Sequence, residues 1–528
     1  MSVCVLRVVV YVLHIKHILP YFIDTIAFDC IYDSFNFPLT ETFPCVCVKN
    51  KKTPSFRIYK EIGVGLSSCH PVFYDIVVIG AGVAGVSAVY HLLNSSATPR
   101  GGYGRNQYSS SPTSVDVTPT TAAGVDRLRP KILIIDAGPA PGEGYGPRKS
   151  GTATLKSIDV GTATPGGDRV YSRIKMMTQI YTCDSGEFVK HHGVDGARRY
   201  MHASKVGLAL QKKLAMDICN GKEILSEMGS YYVCTDSQRD ELKAEYDFLC
   251  SLGEGCCNDL VFIENIMDHN VPGASPDYPC AIYFPSDAVI DSSEYAKRLL
   301  HKSLLGGQGV ALYNTRVVDV DDDPDVCTIT LHTGDMVFAD HVVLATGAMD
   351  PLPQLNGLIV PCYSYLAHVP VSTEKTVQQS ANFFTWTGSS DLGVDWCFDQ
   401  GKVRVSGEDH FSAYKLPKLA ERCGRMINWA QEKYGRPPEV VNEEITQQYG
   451  IYSETPDLVP LVGTRRDDSR ICYLVGCNAA GQTILSYAAS LVPNLLGYGG
   501  GVKQLDESQR DALCLLSIRR FAELPSSY

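Results

Sequence analysis

Asp75-Ile76-Val77-Val78-Ile79-Gly80-Ala81-Gly82-Val83-Ala84-Gly85-Val86-Ser87 is the stretch that decides the fold. Its first residues are an apolar run that reads as a buried strand. Gly80, Gly82 and Gly85 then form Gly-x-Gly-x-x-Gly, and Ala88, Val89, Leu92 and Leu93 recur at helical spacing. A strand, a glycine turn and a helix in this order form a dinucleotide-binding unit. Gly80 permits the tight turn, Gly82 lets the backbone approach a pyrophosphate, and Gly85 lets the helix pack close on the strand. The phosphates then meet a helix N-terminus, where unpaired N–H groups and the helix dipole favour negative charge.

Two further segments extend this unit. Lys131-Ile132-Leu133-Ile134-Ile135-Asp136 reads as a second buried strand ending in an acid, placed to hold ribose hydroxyls. The interval from the glycines exceeds the usual ~20 residues. The Ser-, Thr-, Gly- and Pro-rich stretch 94–130 accounts for the excess and reads as a flexible surface insertion. A third apolar strand, Ala339 to Leu344, runs into Ala345-Thr346-Gly347, a small turn that comes close to a dinucleotide. Together the three segments point to an FAD fold of the flavin-disulfide-reductase type.

The rest of the chain alternates between helical and extended patterns. Helices are expected near 185–215, 293–305, 419–434 and 482–496. Strands are expected at Gly229–Cys234, Val310–Val320 and Ile471–Gly476, with a hairpin turn at Thr333-Gly334. His191 and His192 are adjacent, so they point to different faces of a helix and read as solvated rather than metal-binding. Trp386 and Trp396 read as core residues.

With 528 residues the chain exceeds one typical core, so two interleaved domains are expected. The fold class is α/β: a Rossmann-like FAD-binding domain with an interleaved substrate domain of antiparallel sheet plus helix. The FAD-binding domain takes residues 72–175, 285–355 and 455–500. The substrate domain takes 176–284 and 356–454, residues 1–70 form a poorly ordered extension, and 501–528 form a tail helix. A net charge of −11 argues against nucleic acid as a partner. The 19 cysteines lack a C-x-x-C repeat and read as free thiols, and no metal site is expected. The apolar residues of 1–36 are interrupted by charges, so no membrane span is expected. The segment lacks the marks of a cleaved leader or transit peptide. Pro-Ser-Ser-Tyr at the end is not a peroxisomal address, and the cytoplasm or a mitochondrion is the expected location.

In combination, four motifs resemble the D-amino-acid oxidase-like superfamily of FAD oxidoreductases, the group of glycine and sarcosine oxidases. They are Gly80–Gly85, Pro147-Arg148-Lys149-Ser150-Gly151-Thr152-Ala153, Ala345-Thr346-Gly347, and the block from Thr455-Pro456-Asp457 to Gly481. The resemblance spans roughly residues 72–500. It implies that Arg148, Ser150, Gly151 and Thr152 lie over the pyrophosphate and flavin, and that Val317 meets adenine through its backbone. It also implies that Gly476 to Gly481 and Gln482 set a helix N-terminus against the flavin. There the helix dipole steadies the negative charge of the reduced ring.

The implied activity is oxidation of a C–N bond in a small amine or amino acid, with hydride passing to flavin N5. Oxygen or an electron-transfer partner then accepts the electrons. The alternatives are a dehydrogenase passing electrons to a quinone or flavoprotein, and a flavin-binding assembly or chaperone-like factor. Gly450 stands where some relatives tether flavin through Cys, so the FAD is expected to be non-covalent. Ser453-Glu454 stand where many relatives carry Arg-Pro, so the usual carboxylate clamp is not carried over. Arg404, on an apparent substrate-domain strand, is the foremost catalytic candidate, followed by His410, Tyr452 and Lys415.

Overall fold

The computed structural model describes residues 73–95, 130–137, 176–181, 183–348, 355, 357–372, 377–386, 393–411, 418–437 and 445–521. The N-terminal extension, nearly all of the insertion, Lys415, and the Arg148, Ser150, Gly151 and Thr152 group lie outside them.

In chain order the elements that matter are β1 (Phe73–Ile79), α1 (Val83–Asn94), β2 (Ile132–Ile135), β3 (Met176–Met177), α2 (Ser185–Ile218), β4 (Leu225–Ser226) and β5 (Ser230–Cys234). Next come α3 (Arg239–Ser251), β6 (Val261–Ile263), β7 (Cys280–Phe284), β8 (Ala288–Ile290), α4 (Ser292–Leu304) and β9 (Gly309–Leu312). The chain continues through β10 (Val317–Asp322), β11 (Cys327–Leu331), β12 (Met336–Leu344), β13 (Val360–Pro370), β14 (Asn382–Thr385), β15 (Val394–Asp399) and β16 (Lys402–Phe411). It ends with α5 (Leu419–Tyr434), β17 (Thr446–Glu454), β18 (Leu461–Gly463), β19 (Ile471–Val475), α6 (Gly481–Leu495) and α7 (Glu507–Leu516).

The first sheet runs β10-β11-β12-β1-β2-β9, with β19 beside β12 and β18 beside β19. Its centre, β12-β1-β2-β9, is parallel. Alternation along a strand splits its apolar residues between two cores. Ile76, Val78, Ile132 and Ile134 enter the cluster that holds α1, α4 and α6, while Val77, Ile79, Leu133 and Ile135 enter the cluster under the β10–β11 hairpin. Burial of this completeness contributes about 1.5–3 kcal/mol per side chain before chain entropy is charged.

Two expectations are corrected here. The single strand expected over 310–320 is two, β9 and β10. Between them Asn314 takes φ 52° and the Thr315 N–H bonds the Asp136 carbonyl at 2.9 Å, so the chain leaves the sheet at the end of β2. Second, α2 lies within the segment assigned to the substrate domain, yet it packs on α6. A Cβ at Gly207 would stand 2.2 Å from the Thr483 carbonyl oxygen, so the two helices nearly touch there. Gly193 (φ 68°) breaks α2 into two helices, because only a residue without Cβ adopts that turn cheaply.

The second sheet runs β17-β13-β16-β15-β14-β5-β7-β6 and is antiparallel except for the β14–β5 pair. One face carries Val233, Tyr365, Ala367, Phe383, Trp396, Val403 and Val405 and packs on α5 through Met426, Trp429 and Tyr434. Tyr232, Phe384 and Trp386, from the other face and the end of β14, enter the core shared with the first sheet. Trp386 and Trp396 are both buried, at 6% and 2% exposure. Among the described residues the cysteines are free thiols and no helix is long and apolar enough to cross a membrane.

Candidate active site

The glycine turn is built as its spacing demands. Gly80 takes φ +107°, and a Cβ there would lie 2.3 Å from the Ala345 carbonyl oxygen. The Ala345 N–H in turn bonds the Ile79 carbonyl at 2.8 Å, so the end of β12 closes over the turn. A Cβ at Gly85 would fall 2.0 Å from the Gly80 carbonyl oxygen, whereas among the described residues one at Gly82 would meet nothing within 4 Å. Gly80 and Gly85 are therefore fixed by the protein itself, and the space beside Gly82 is left for a ligand. Asp136, 6% exposed, accepts the Ala81 N–H at 2.5 Å and so braces the turn from the end of β2. Val317 opens β10 two residues beyond Thr315, whose N–H reaches the Asp136 carbonyl.

The C-terminal block arrives from the other side. Asn478 (φ 45°) accepts the Thr455 N–H at 2.8 Å, and its own N–H bonds the Ser453 carbonyl at 2.8 Å. Gly476 takes φ +81° with Thr455 Cγ2 close by, and a Cβ at Gly481 would lie 2.5 Å from Cys477 Cβ. These contacts strap the end of β17 to the loop that opens α6 at Gly481. Asp457 is clamped by Arg520 at 2.6 and 2.9 Å, and its carbonyl accepts His192 Nε2 at 2.6 Å. His192 is thus a structural residue of the block, not the solvated one its neighbour suggested, while His191 is exposed.

Unused donors mark the same region. Thr346 Oγ1 and Gln482 Nε2 are shut away from solvent with no hydrogen-bond partner among the described residues. So are both amide atoms of Gln179, a fully buried side chain whose backbone N–H bonds Asp287 at 3.1 Å. Buried amides without partners cost about 1–3 kcal/mol each, so groups of this kind are normally completed by something else. The open space at Gly82 and these orphaned groups fit FAD. Gln179 went unnoticed in the sequence, where a lone Gln in a short strand-to-helix link carries no pattern.

Polar side chains also converge on the second sheet, on the face away from α5. Direct pairing puts Phe384 beside Asp395, Asp395 beside Ser406, and Ser406 beside Leu366. A register shift on β16 near Gly407 then brings Asp409 onto this face, against Ser364 and Tyr452. The Tyr452 hydroxyl lies 3.1 Å from Asp409 Oδ2 and 3.0 Å from Glu454 Oε1. Burial raises the carboxyls of Asp409 and Glu454 above the usual range. Burial, together with the charge of Asp409, pushes Asp395 up to about 8. The Tyr452 phenol is pushed up by burial and then by Asp409. Asp409 is exposed while Tyr452 and Glu454 beside it are partly buried, so the three groups line an open recess on this face.

The structure separates the three catalytic candidates. Tyr452 is in the recess. Arg404 is on the same face but 3% exposed, in a narrow cleft with Met176, Asn382, Asp395 and Ser406. Its guanidinium donates to Cys397 Sγ at 3.8 Å and its Nε has no partner. Burial draws its pKa down. His410 is corrected: it pairs with Tyr363 and stacks on Tyr363 and Tyr365 at 5.3 and 5.7 Å, on the face covered by α5. The register shift is the cause, since one extra residue exchanges the faces of everything beyond it.

The family described as FAD dependent oxidoreductase matches residues 121–494, more than half of the chain. No curated protein matches in sequence. Among solved structures, glycine oxidase from Geobacillus kaustophilus is similar at 17% identity and TM-score 0.56, covering 85% of this chain and 99% of its own. L-proline dehydrogenase from P. horikoshii is similar at 14% identity and TM-score 0.54, with 86% and 98% covered. Iminodiacetate oxidase from Chelativorans sp. BNC1 is similar at 15% identity and TM-score 0.53, with 82% and 97% covered. At these identities the three share the fold with this chain.

Proposed function

Because the chain belongs to the FAD dependent oxidoreductase family, we propose that it oxidises the C–N bond of a small amine held between the glycine cradle and the polar face of the second sheet. One observation carries this reading. The Ser453–Cys477 and Thr455–Asn478 contacts tie the strand bearing Tyr452 and Glu454 to the loop that opens α6. Cofactor cradle and polar recess therefore share an edge.

When bound, FAD supplies the acceptor for the hydride leaving the carbon next to nitrogen. The residues of the chain do the rest. The turn of Gly80, Gly82 and Gly85 would receive the pyrophosphate beside Gly82, Asp136 would stand at the ribose, and Thr346, Gln179 and Gln482 would offer their unused polar atoms. The helix start at Gly481 presents free N–H groups to developing negative charge. Tyr452 orients the substrate, and the aromatic walls Tyr232, Phe384 and Trp386 keep water from the reacting carbon. Arg404 adds a fixed positive charge beneath the same face. The nitrogen reacts as the free base, its lone pair forms the C=N bond, and one proton leaves it. Water then hydrolyses the imine to a carbonyl and a released amine.

The test begins with protein purified as a yellow FAD complex. Flavin absorbance is followed anaerobically with a panel of primary and secondary amines and amino acids. Bleaching by at least one amine is expected, and peroxide release in air then separates an oxidase from a dehydrogenase. A flavin that no amine reduces would overturn the reading. FAD is expected in the supernatant after acid precipitation, since Gly450 offers no tether.

A further inference from the structure

We infer that Cys234 and Cys280 form a redox site, a pair of thiols that hydrogen peroxide converts to a disulfide stapling β5 to β7. The inference stands apart from the amine-oxidising reading and does not depend on it. Direct antiparallel pairing sets Cys234, the last residue of β5, opposite Cys280, the first of β7. Residues opposed in this way have Cα atoms about 4.5–5.5 Å apart, inside the range that a disulfide spans. No other strand pairing among the described residues opposes two cysteines. Both thiols are free, and both are buried in the same core cluster.

The bonding of the two thiols is a second observation. Cys219, Cys256 and Cys423 donate to backbone carbonyls. Cys234 and Cys280 are instead hydrogen-bonded to each other, a bond that raises Cys234 and lowers Cys280. That is the sense expected when the Cys234 S–H donates to Cys280 Sγ, which marks Cys280 as the attacking sulfur. Burial outweighs this and holds both thiols above their ordinary range, with Cys234 pushed up to about 12, while Arg239 draws both down. Arg239 is the first residue of α3, and its guanidinium is bonded to Asp236 at 2.6 Å and to Glu264 in exposed ion pairs. The thiols therefore lie beneath surface contacts of a kind that open readily, and a molecule as small as peroxide reaches them when those contacts part.

The chemistry balances with peroxide as the oxidant. The Cys280 thiolate attacks one peroxide oxygen and the O–O bond breaks. Cys280 becomes a sulfenic acid, and the first water leaves with the proton that Cys280 gave up. The Cys234 sulfur then attacks the sulfenic sulfur. An S–S bond forms, and the hydroxyl leaves with the Cys234 proton as the second water. The sulfurs lose one electron pair and peroxide gains it. The staple would fix the strand that carries the aromatic wall. Val233, next to Cys234, accepts the Trp386 N–H at 2.7 Å, and the Tyr232 ring meets Trp386 edge-on.

The experiment exposes the full, FAD-loaded protein to graded hydrogen peroxide. Remaining thiols are capped with iodoacetamide during denaturation, and the digest is read by mass spectrometry without reductant. A peptide linking Cys234 to Cys280 is expected, and it should disappear on treatment with dithiothreitol. Retained flavin absorbance before denaturation shows that the link formed in folded protein. In Cys234→Ser the sulfenic acid should persist on Cys280, where dimedone traps it. The oxidised wild type should melt about 3 °C or more above the reduced protein, a rise that Cys234→Ser lacks. The wild-type digest decides the question even where the variant does not fold. Oxidation confined to the exposed Cys250 and Cys514, with Cys234 and Cys280 recovered as capped thiols, would overturn the proposal. A disulfide from either thiol to any other cysteine would overturn it as well.

Discussion

The glycine cradle and the polar recess around Tyr452 share an edge but are specified in different ways. The cradle is made of backbone. Gly80, Gly82 and Gly85 act through the absence of a Cβ, and their neighbours are carbonyl oxygens of Ala345 and Gly80. The recess is made of side chains drawn from separate strands: Asp395 on β15, Asp409 on β16, Tyr452 and Glu454 on β17. Backbone geometry within one turn leaves a fixed spacing in the sequence. Side-chain convergence across strands leaves none, because it depends on register. The cradle is a property of backbone, and the recess a property of register.

The largest expected effect would break or confirm the division within the cradle itself. Gly85→Val forces a side chain into the Gly80 carbonyl and should destabilise the whole protein by several kcal/mol, on the order of the worst core overpacking. It should appear as insoluble or colourless protein. Gly82→Val faces open space, so the apoprotein should melt within about 2 °C of wild type while FAD binding is lost. Melting curves with and without added FAD check both. If Gly82→Val loses stability without FAD as heavily as Gly85→Val, the space beside Gly82 is not a ligand site.

A smaller effect is expected from the orphaned donors. Thr346→Val removes a hydroxyl that has no partner among the described residues, so its apoprotein should be as stable as wild type or slightly more so, whereas Gln482→Leu also removes the Oε1 that accepts from Ser292 Oγ at 2.9 Å and should cost about 1 kcal/mol. FAD should dissociate about 5- to 30-fold more readily from each, the range for loss of one hydrogen bond to a polar ligand. Fluorescence of released flavin measures it. Unchanged affinity in both would mean that the buried amide and hydroxyl are merely packed.

These contrasts show what the sequence disclosed. The strand into Gly-x-Gly-x-x-Gly, the acid at Asp136, the strand into Ala345-Thr346-Gly347, and the helices at α5 and α6 were legible because each is a local pattern of apolar period and glycine. Tyr452 was visible as a candidate, but its two carboxylates were not. Asp409 reaches Tyr452 only because β16 slips by one residue near Gly407, and Asp395 because β15 pairs with β16 in one particular register. The break between β9 and β10 was missed for a similar reason. The stop is set by Asn314 in the left-handed region together with a hydrogen bond from Thr315 to Asp136 at the end of another strand, which a lone Asn in an apolar run does not announce.

The recess should also be felt in stability against pH. Asp395 and Asp287, raised mainly by burial to about 8 and about 7, hold protons when folded that they release when unfolded. Their contribution is full below about pH 4 and lost as pH rises through 7–8. His91 and His341, lowered by burial to about 4, act in the opposite sense, losing stability as pH falls from about 6.5 to 4. The two pairs oppose one another between about pH 4 and 6.5. Above 6.5 only the acids act, so stability should fall by about 2 kcal/mol between pH 6.5 and 8. Urea unfolding at the two pH values measures it, and Asp395→Asn should remove roughly two-thirds of the fall. A fall of the same size in that variant would show that Asp395 is not held protonated.

The smallest effect tests whether the two faces of the second sheet are truly separate. His410 follows Asp409 directly, yet its ring is stacked on Tyr363 and Tyr365 under α5. It also makes a long polar contact, 3.5 Å from Nδ1 to the Tyr365 hydroxyl. His410→Phe keeps an aromatic ring in that stack while removing this contact and the titratable nitrogen. Stability should change by no more than about 1 kcal/mol. The rate of anaerobic flavin reduction should stay within about twofold of wild type, with no change in its pH dependence. Asp409→Asn, one residue away and on the other face, should alter both amine affinity and that pH dependence. A His410→Phe variant that slows flavin reduction as much as Asp409→Asn would mean that the ring reaches the reacting molecule. In that case the register shift at Gly407 would not divide the strand into a supporting face and a working face.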